Sequence, residues 1–219
     1  MNHSYTKSFS IALASVVVPI LLLSGADCFA AEQVRNLPAF ASISSDGVFN
    51  LKVDVGPAQA VKINSEENNL DQVTTEVVNN ELVLSFKNKA KKFKSEEGIT
   101  VLVSVPTLTK LRVKGVGPTE VKHIKTSDFE LNYEGVGAVK LEGRVNNLIL
   151  NAKGVGSVDA KSLKSQIANV SLNGLGEVSV YASDTLNANL NGIGSMTYYG
   201  KPGHINKVVS GLGKVSQGD

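Results

Sequence analysis

The feature that most constrains this chain is a glycine motif that returns at a nearly constant interval. Gly-(Val/Leu/Ile)-Gly begins at six positions, separated by 20, 19, 20, 18 and 19 residues. A constant period of this kind indicates stacked repeats, and a unit near 19 residues is too short for a helical hairpin. The Leu-x-x-Leu-x-Leu-x-x-Asn pattern of leucine-rich repeats is missing. The motif glycines are Gly115, Gly117, Gly135, Gly137, Gly154, Gly156, Gly174, Gly176, Gly192, Gly194, Gly211 and Gly213.

Between the motifs, apolar residues recur at every second position, as in Phe129-x-Leu131-x-Tyr133 before a motif. This period is typical of strands that bury one face. Two strands and a glycine corner per repeat predict an all-β fold, a parallel β-solenoid (right-handed β-helix) with rungs of about 19 residues. The glycines permit a tight corner or a positive φ. We expect the middle residue of each motif to point into the core: Val116, Val136, Val155, Leu175, Ile193 and Leu212.

The outward positions support in-register stacking of the rungs. Equivalent residues of successive rungs lie about 4.8 Å apart, so opposite charges stabilise the stack and like charges oppose it. Signs alternate along the predicted columns. The columns are Lys114, Glu134 and Lys153; Glu120, Lys140 and Asp159; and Lys110 and Glu130.

Later rungs carry amides in place of charges. The predicted outward columns contain Asn132, Asn151 and Asn189 in one and Asn169, Asn187 and Asn206 in the other. Stacked asparagines form hydrogen-bonded ladders in parallel β structures. The amides form either a polar binding face for sugars or a solvated face that the ladders stabilise. The second interpretation is favoured, because no aromatic platform accompanies the amides.

Residues 1–30 have the pattern of a cleavable secretory signal peptide. The 13-residue apolar run from Ile11 to Leu23 is too short to span a bilayer comfortably, and small residues precede a cleavage point after Ala30. Export would place the protein in the periplasm, on the outer surface or in the medium. A lipoprotein is the less favoured alternative, because Asp27 and not a small residue precedes Cys28. We expect a mature chain without disulfides or a transmembrane segment.

The rest of the chain divides into a linker (31–39), an irregular β-rich part (40–106) and the regular solenoid (107–219). The irregular part contains two tight-turn pairs, Asp46-Gly47 and Asn79-Asn80, and is expected to cap the solenoid. A lysine-rich loop in this part is either an anionic-ligand site or a solvated hairpin loop. The adjacent Glu96 and Glu97 favour the solvated loop. Its lysines are Lys87, Lys89, Lys91, Lys92 and Lys94.

Sequence motifs for chemistry are missing. GxGxxG, Walker, HExxH and GxSxG patterns do not occur, and His3, His123 and His204 share no metal-binding spacing. We therefore expect no metal and no cofactor. The net charge of +2, from 22 basic and 20 acidic residues, argues against a nucleic-acid partner. The nearest acidic set for glycan cleavage falls in different columns: Asp159, Glu177 and Asp184.

One family resemblance rests on three N-terminal stretches followed by the repeats. Phe40-Ala-Ser-Ile43 through Val53, Leu82-Val-Leu-Ser-Phe86 and Val101-Leu-Val-Ser-Val-Pro106 resemble the putative auto-transporter adhesin, head GIN domain family. The resemblance covers roughly residues 38–215. It implies a secreted or envelope-associated bacterial β-solenoid, and it supplies no catalytic residues.

The leading functional hypothesis is an exported, non-enzymatic, adhesin-like binding protein of the bacterial envelope. Its partner would be an envelope or extracellular glycan or protein. The alternative is a polysaccharide-active β-helix enzyme, since a fold does not fix a function. Lys207 falls where the inward column expects an apolar residue, which predicts that the last rung leaves the regular register. We expect a monomer or weak dimer.

Overall fold

The computed structural model describes residues 31–65, 70–87 and 98–219. These residues form fifteen strands of one sheet that winds into a parallel β-solenoid. The strands are β1 Ala31–Arg35, β2 Ser42–Asp46, β3 Phe49–Val55, β4 Ala60–Ser65, β5 Val73–Val78, β6 Glu81–Phe86, β7 Ile99–Val105, β8 Lys110–Val113, β9 Thr119–Tyr133, β10 Val136–Ala152, β11 Val155–Leu172, β12 Leu175–Leu190, β13 Ile193–Tyr199, β14 His204–Val209 and β15 Leu212–Gln217.

Each rung crosses two sheet faces that enclose the core. The first face contains β6, β2, β8, the C-terminal halves of β9 to β12, and β14. The second face contains β7, β3, the N-terminal halves of β9 to β12, and then β13 and β15. On one side the glycine motif joins the two faces, and we call this side the glycine corner. On the other side a stretch near the middle of each long strand joins them, and we call it the outer bend.

The core follows the alternation seen in the sequence. In β10 and β11, Leu148, Leu150 and Val158 are buried, and their outward neighbours are polar or exposed. Burial of these aliphatic side chains in every rung removes apolar surface from water, which is the main stabilising term for such a stack. The predicted parallel stacking is confirmed by the pairing of every long strand with the one that follows it.

The glycine corner depends on close approach between rungs. A Cβ atom on Gly154 would lie 2.1 Å from the backbone oxygen of Gly135, inside any permitted contact distance. Gly156 has a φ of 137°, which residues with side chains rarely adopt. The buried Tyr133 fixes the corner from within, because its hydroxyl lies 3.0 Å from Gly137 O and 3.1 Å from Val155 O. The motif glycines therefore serve both expected roles, a tight corner and a backbone conformation with positive φ.

The expectation that the middle residues of the motif point inward is wrong. Val136 is 51% exposed and Val155 is 48% exposed, and all six residues face solvent. The reason is that the period of two continues through the corner without a shift. The inward positions run Leu131, Tyr133, Gly135, Gly137 and Val139, so the residue between the two glycines points outward.

The N-terminal half contributes rungs of its own. Val48 bridges Val116, and a Cβ on Gly115 would meet Gly47 O, so Gly47-Val48-Phe49 is a further corner. Asp46-Gly47 therefore lies at a solenoid corner, since β2 and β3 pair with other rungs. Asn79-Asn80, with φ values of 51° and 64°, is a hairpin turn between β5 and β6.

Residues 31–35 are not part of a linker. They form β1, which pairs antiparallel with β4, and β4 pairs antiparallel with β7. These antiparallel strands extend the second face beyond its parallel part.

At the C-terminal end, β14 pairs with β12 in the regular register, with Lys207 opposite Ala188. The prediction that the last rung leaves the regular register is therefore wrong. Lys207 reaches the Tyr198 hydroxyl at 3.3 Å, which gives its ammonium group a polar partner at the end of the apolar interior.

Candidate binding surface

The first face brings the predicted asparagines together in two columns. Asn132 lies opposite Asn151, which is followed by Ser171 and Asn189 in the next rungs. Asn169, Asn187 and Asn206 form the neighbouring column. The regular alternation turns all of these side chains outward. We call this set of seven residues the asparagine face.

Hydrogen bonds between amides hold the asparagine face in one arrangement. Asn151 Nδ2 donates to Asn132 Oδ1 at 3.0 Å. In the second column, Asn187 Nδ2 donates to Asn169 Oδ1 and Asn206 Nδ2 donates to Asn187 Oδ1, each at 2.8 Å. A side-chain amide has two N–H donors and two acceptor sites, so each bond leaves a further donor or acceptor available. The ladder therefore presents fixed polar groups at the spacing of the rungs.

A shallow groove of about 280 Å³ runs between the two columns. Asn151, Asn169, Asn187 and Asn189 line it, and Ile149 and Val208 contribute apolar surface. A groove of this composition can accept hydroxyl groups by hydrogen bonds and the C–H surface of a sugar by apolar contact.

One end of the asparagine face is anchored by a carboxylate. Asn132 Nδ2 donates to Glu130 Oε1 at 2.5 Å, and Lys110 Nζ lies 3.0 Å from Glu130 Oε2. The hydrogen bond from Asn132 is the main cause that lowers the pKa of Glu130, and Lys110 lowers that pKa further. The ionised carboxylate thus orients the first amide of the ladder.

An apolar ridge runs along the glycine corner, and the sequence analysis placed six of its seven residues, all but Val48, in the core. Its members pair from rung to rung and are 47% to 76% exposed. The alternation of inward and outward positions, carried through the motif, would have found it. The ridge consists of Val48, Val116, Val136, Val155, Leu175, Ile193 and Leu212.

The other predicted site residues that the structure describes do not come together in one place. Lys87 is exposed, and its backbone N–H donates to Gln72 O at 2.9 Å; Lys89, Lys91, Lys92 and Lys94 lie outside the described residues. Asp159 pairs with Lys161 at 3.6 Å on the second face. Asp184 accepts a hydrogen bond from Thr185 at the outer bend, and Glu177 is exposed on the second face.

The described residues contain no group of three His, Cys, Asp or Glu side chains that could hold a metal ion. Within the described ranges, no helix long and apolar enough to cross a membrane is present. The predicted signal peptide in residues 1–30 lies outside the described residues.

The sequence matches one known family over most of its length. Residues 39–202 match the family described as putative auto-transporter adhesin, head GIN domain. The chain belongs to this family. The resemblance stated from the N-terminal stretches and the repeats is therefore confirmed. A comparison with curated proteins finds no match.

Two similar crystal structures share the solenoid architecture. A putative adhesin from Bacteroides fragilis has 24% sequence identity and a TM-score of 0.72, with 85% of this chain and 96% of that chain covered. A putative adhesin from Parabacteroides merdae has 15% identity and a TM-score of 0.54, with 88% and 98% covered. At these identities the likeness shows a common fold.

Proposed function

We propose that this chain is an exported, non-enzymatic, adhesin-like protein that binds a glycan of the cell envelope or its surroundings through the asparagine face. Membership of the head GIN domain family and the adhesin names of its structural relatives support a binding role. The signal-peptide pattern of residues 1–30 supports export to the periplasm, the outer surface or the medium.

The sequence alone favoured a solvated face that the ladders stabilise. The observation that carries this proposal is the groove beside the hydrogen-bonded amide ladder, which the sequence did not reveal. Asn169, Asn187 and Asn206 are held in line by bonds of 2.8 Å, so a ligand does not have to order them. Binding to groups that are already in position avoids the loss of side-chain entropy. A polymer of sugars carries hydroxyl groups at regular intervals, which suits an array of donors and acceptors repeated about every 4.8 Å.

The test compares two asparagines that lie two residues apart and point to different surfaces. Asn189 lines the groove of the asparagine face, whereas Asn191 lies at the glycine corner. We expect Asn189→Ala to weaken retention of the purified protein on immobilised neutral envelope polysaccharide by about fivefold, the equivalent of one hydrogen bond of about 1 kcal/mol. Asn191→Ala is the matched control and should bind normally. Equal losses in both variants, or a loss in neither, would contradict the proposal.

Product analysis in the same assays separates binding from cleavage. A binding protein leaves the polysaccharide at its original length. Release of oligosaccharides that stops in the Asp159→Asn, Glu177→Gln or Asp184→Asn variant would instead support the polysaccharide-active enzyme.

Export has a direct test as well. Expression of the full chain with a C-terminal tag should yield a product that lacks residues 1–30 and whose sequence begins at Ala31. Retention of the apolar run in the mature protein would contradict cleavage after Ala30.

A further inference from the structure

The outer bend carries a column of cations that the sequence intervals conceal. Arg144 lies opposite Lys125 in the preceding rung and opposite Lys164 in the following one. All three side chains are exposed. The same column continues with Tyr181 and then Tyr199. We call these five residues the basic column.

Like charges at neighbouring positions distinguish this column from the other charged columns. Along the second face the signs alternate from Lys52 through Glu120 and Lys140 to Asp159. Stacked like charges repel and destabilise neighbouring strands. In the part of the chain that the structure describes, none of the three cations of the basic column has a carboxylate within ion-pair distance. Their charge is therefore available to an external anion.

Two clefts meet at the middle of the basic column. The larger, of about 780 Å³, lies against Lys164, Tyr181 and Tyr199 and also contacts Lys161, Lys201 and one acidic residue, Asp219. The smaller, of about 380 Å³, is lined by Arg144 and shares Lys164 and Tyr181 with the first.

The cationic groups of the clefts differ in how they are held. Lys164 Nζ lies 3.9 Å from the centre of the Tyr181 ring and donates to Lys161 O at 3.3 Å, so it is fixed beside the aromatic surface. Lys161 is paired with Asp159. Lys201 has no ion-pair partner among the described residues, so the unpaired cations Lys164 and Lys201 outnumber the one acidic side chain, Asp219, that lines the larger cleft.

We propose that the basic column binds an anionic polysaccharide that lies along the solenoid axis. Cations repeated about every 4.8 Å match a chain that carries a carboxylate on each sugar, and the tyrosines offer ring surface and hydroxyl groups to the sugar units. This inference rests on the proposed binding role of the chain, but it uses a different surface from the asparagine face.

The geometry favours a polysaccharide over a nucleic acid. Lys164 covers one face of the Tyr181 ring, and Gly218 lies against the Tyr199 ring, where an added Cβ would be 2.5 Å from Cε1. The Tyr181 ring is therefore not open on both sides for intercalation between bases. A duplex nucleic acid also carries one negative charge per about 1.7 Å of its axis, whereas the cations of the basic column recur only about every 4.8 Å.

The test uses polygalacturonate and its fully methyl-esterified form, which share a backbone and differ in charge. We expect the purified protein to bind polygalacturonate, with an affinity that falls as salt rises, and to bind the ester at least tenfold more weakly. Arg144→Gln and Lys164→Gln should each reduce the affinity for polygalacturonate at least fivefold. Lys114→Gln removes the same charge at the glycine corner, where Lys114 is paired with Glu134 at 3.4 Å, and should leave the affinity unchanged.

Thermal stability is a second readout. If Arg144 served only to stabilise the fold, its loss would lower the Tm and the binding together. Arg144→Gln relieves repulsion within the basic column and should hold or raise the Tm at low salt while it weakens binding. Lys114→Gln breaks an attractive pair and should lower the Tm slightly while binding is kept.

Several outcomes would overturn the inference. They are equal affinity for the methyl ester, equal loss of binding in Lys114→Gln, or tighter binding of a single-stranded oligothymidylate or of phosphatidylglycerol vesicles.

The Asn189→Ala variant distinguishes binding at the asparagine face from binding at the basic column. Loss of neutral polysaccharide binding with polygalacturonate binding intact would leave both proposals standing. Failure of polygalacturonate binding alone would remove only the basic column.

Discussion

Glu120 and Lys140 occupy the same register position in consecutive rungs, and Glu120 Oε1 lies 3.9 Å from Lys140 Nζ. Lys52 precedes this pair in the column and Asp159 follows it. Four charges of alternating sign therefore run across the second face. Because opposite charges lie next to each other, the alternation of sign identifies which rungs are adjacent.

Reversing one charge in this column should cost little but measurable stability. Lys140→Glu places an acid between Glu120 and Asp159, and we expect a loss below about 1 kcal/mol per pair because Lys140 is exposed and its two neighbours are only half-buried. The loss should shrink as salt rises. Chemical denaturation of Lys140→Glu, Glu120→Lys and the double variant measures the coupling between the two sites. Strictly additive effects would argue against direct contact between the side chains.

A buried and an exposed aliphatic residue near the same corner should respond differently to a charge. Leu150 is fully buried, so Leu150→Asp should cost several kcal/mol, because the carboxylate would lie in the apolar core without a partner. Val155→Asp places the same group on the apolar ridge and should cost less than about 1 kcal/mol. Urea unfolding of both variants makes the comparison, and similar losses would contradict the outward orientation of Val155.

The glycine corner should not tolerate a methyl group. In Gly154→Ala the new Cβ meets the backbone oxygen of Gly135, and the rungs must move apart, at a cost of about 1–3 kcal/mol. Gly203→Ala is the matched control, because nothing lies within 4 Å of its added Cβ. Thermal unfolding of the two variants should show a lower Tm for Gly154→Ala alone. Unchanged stability of Gly154→Ala would indicate looser stacking at the corner.

Glu130 should make stability depend on pH in the acid range. Its pKa is lowered from the ordinary 4.5 in the folded protein, so the folded state binds fewer protons there than the unfolded chain. The stabilisation is present above about pH 4.5 and is lost as the pH falls through the folded pKa. Glu130→Gln should flatten the decline of unfolding free energy with falling pH, and Asn132→Ala should flatten it in part. An unchanged decline in both variants would contradict this role for Glu130.

The repeat predicted which residues stack in neighbouring rungs, and the alternation within one strand could not have predicted this. Because the interval and the period of two together fix which residues stack, the pairs Lys110–Glu130 and Asn132–Asn151 followed from the sequence alone. The orientation of Val155 did not, because the middle residue of each motif was expected to point inward, although the period of two on either side of the motif turns it outward. The corner at Gly47-Val48-Phe49 was also missed, because Phe49 stands where the motif has its second glycine.

The basic column was concealed by unequal spacing. Counted from the first glycine of the motif, Lys125 is 10 residues on (125 − 115), Arg144 is 9 (144 − 135) and Lys164 is 10 (164 − 154). The register shifts at the outer bend cancel these differences and bring the three residues into line. Only the strand pairing shows which residues the shifts align.

The outer bend and the glycine corner differ in whether they can accommodate a change in the number of residues per rung. Every difference between the repeat intervals is absorbed at the outer bend, where pairing skips between Lys140 and Glu142 and again between Ala160 and Lys164. At the glycine corner the backbone contacts between successive motif glycines leave no room for an inward side chain. A protein built in this way can gain or lose residues along one side while its neighbouring rungs stay in step. That side is the natural place to graft new loops, and over evolutionary time it can acquire new specificities without a redesign of the core.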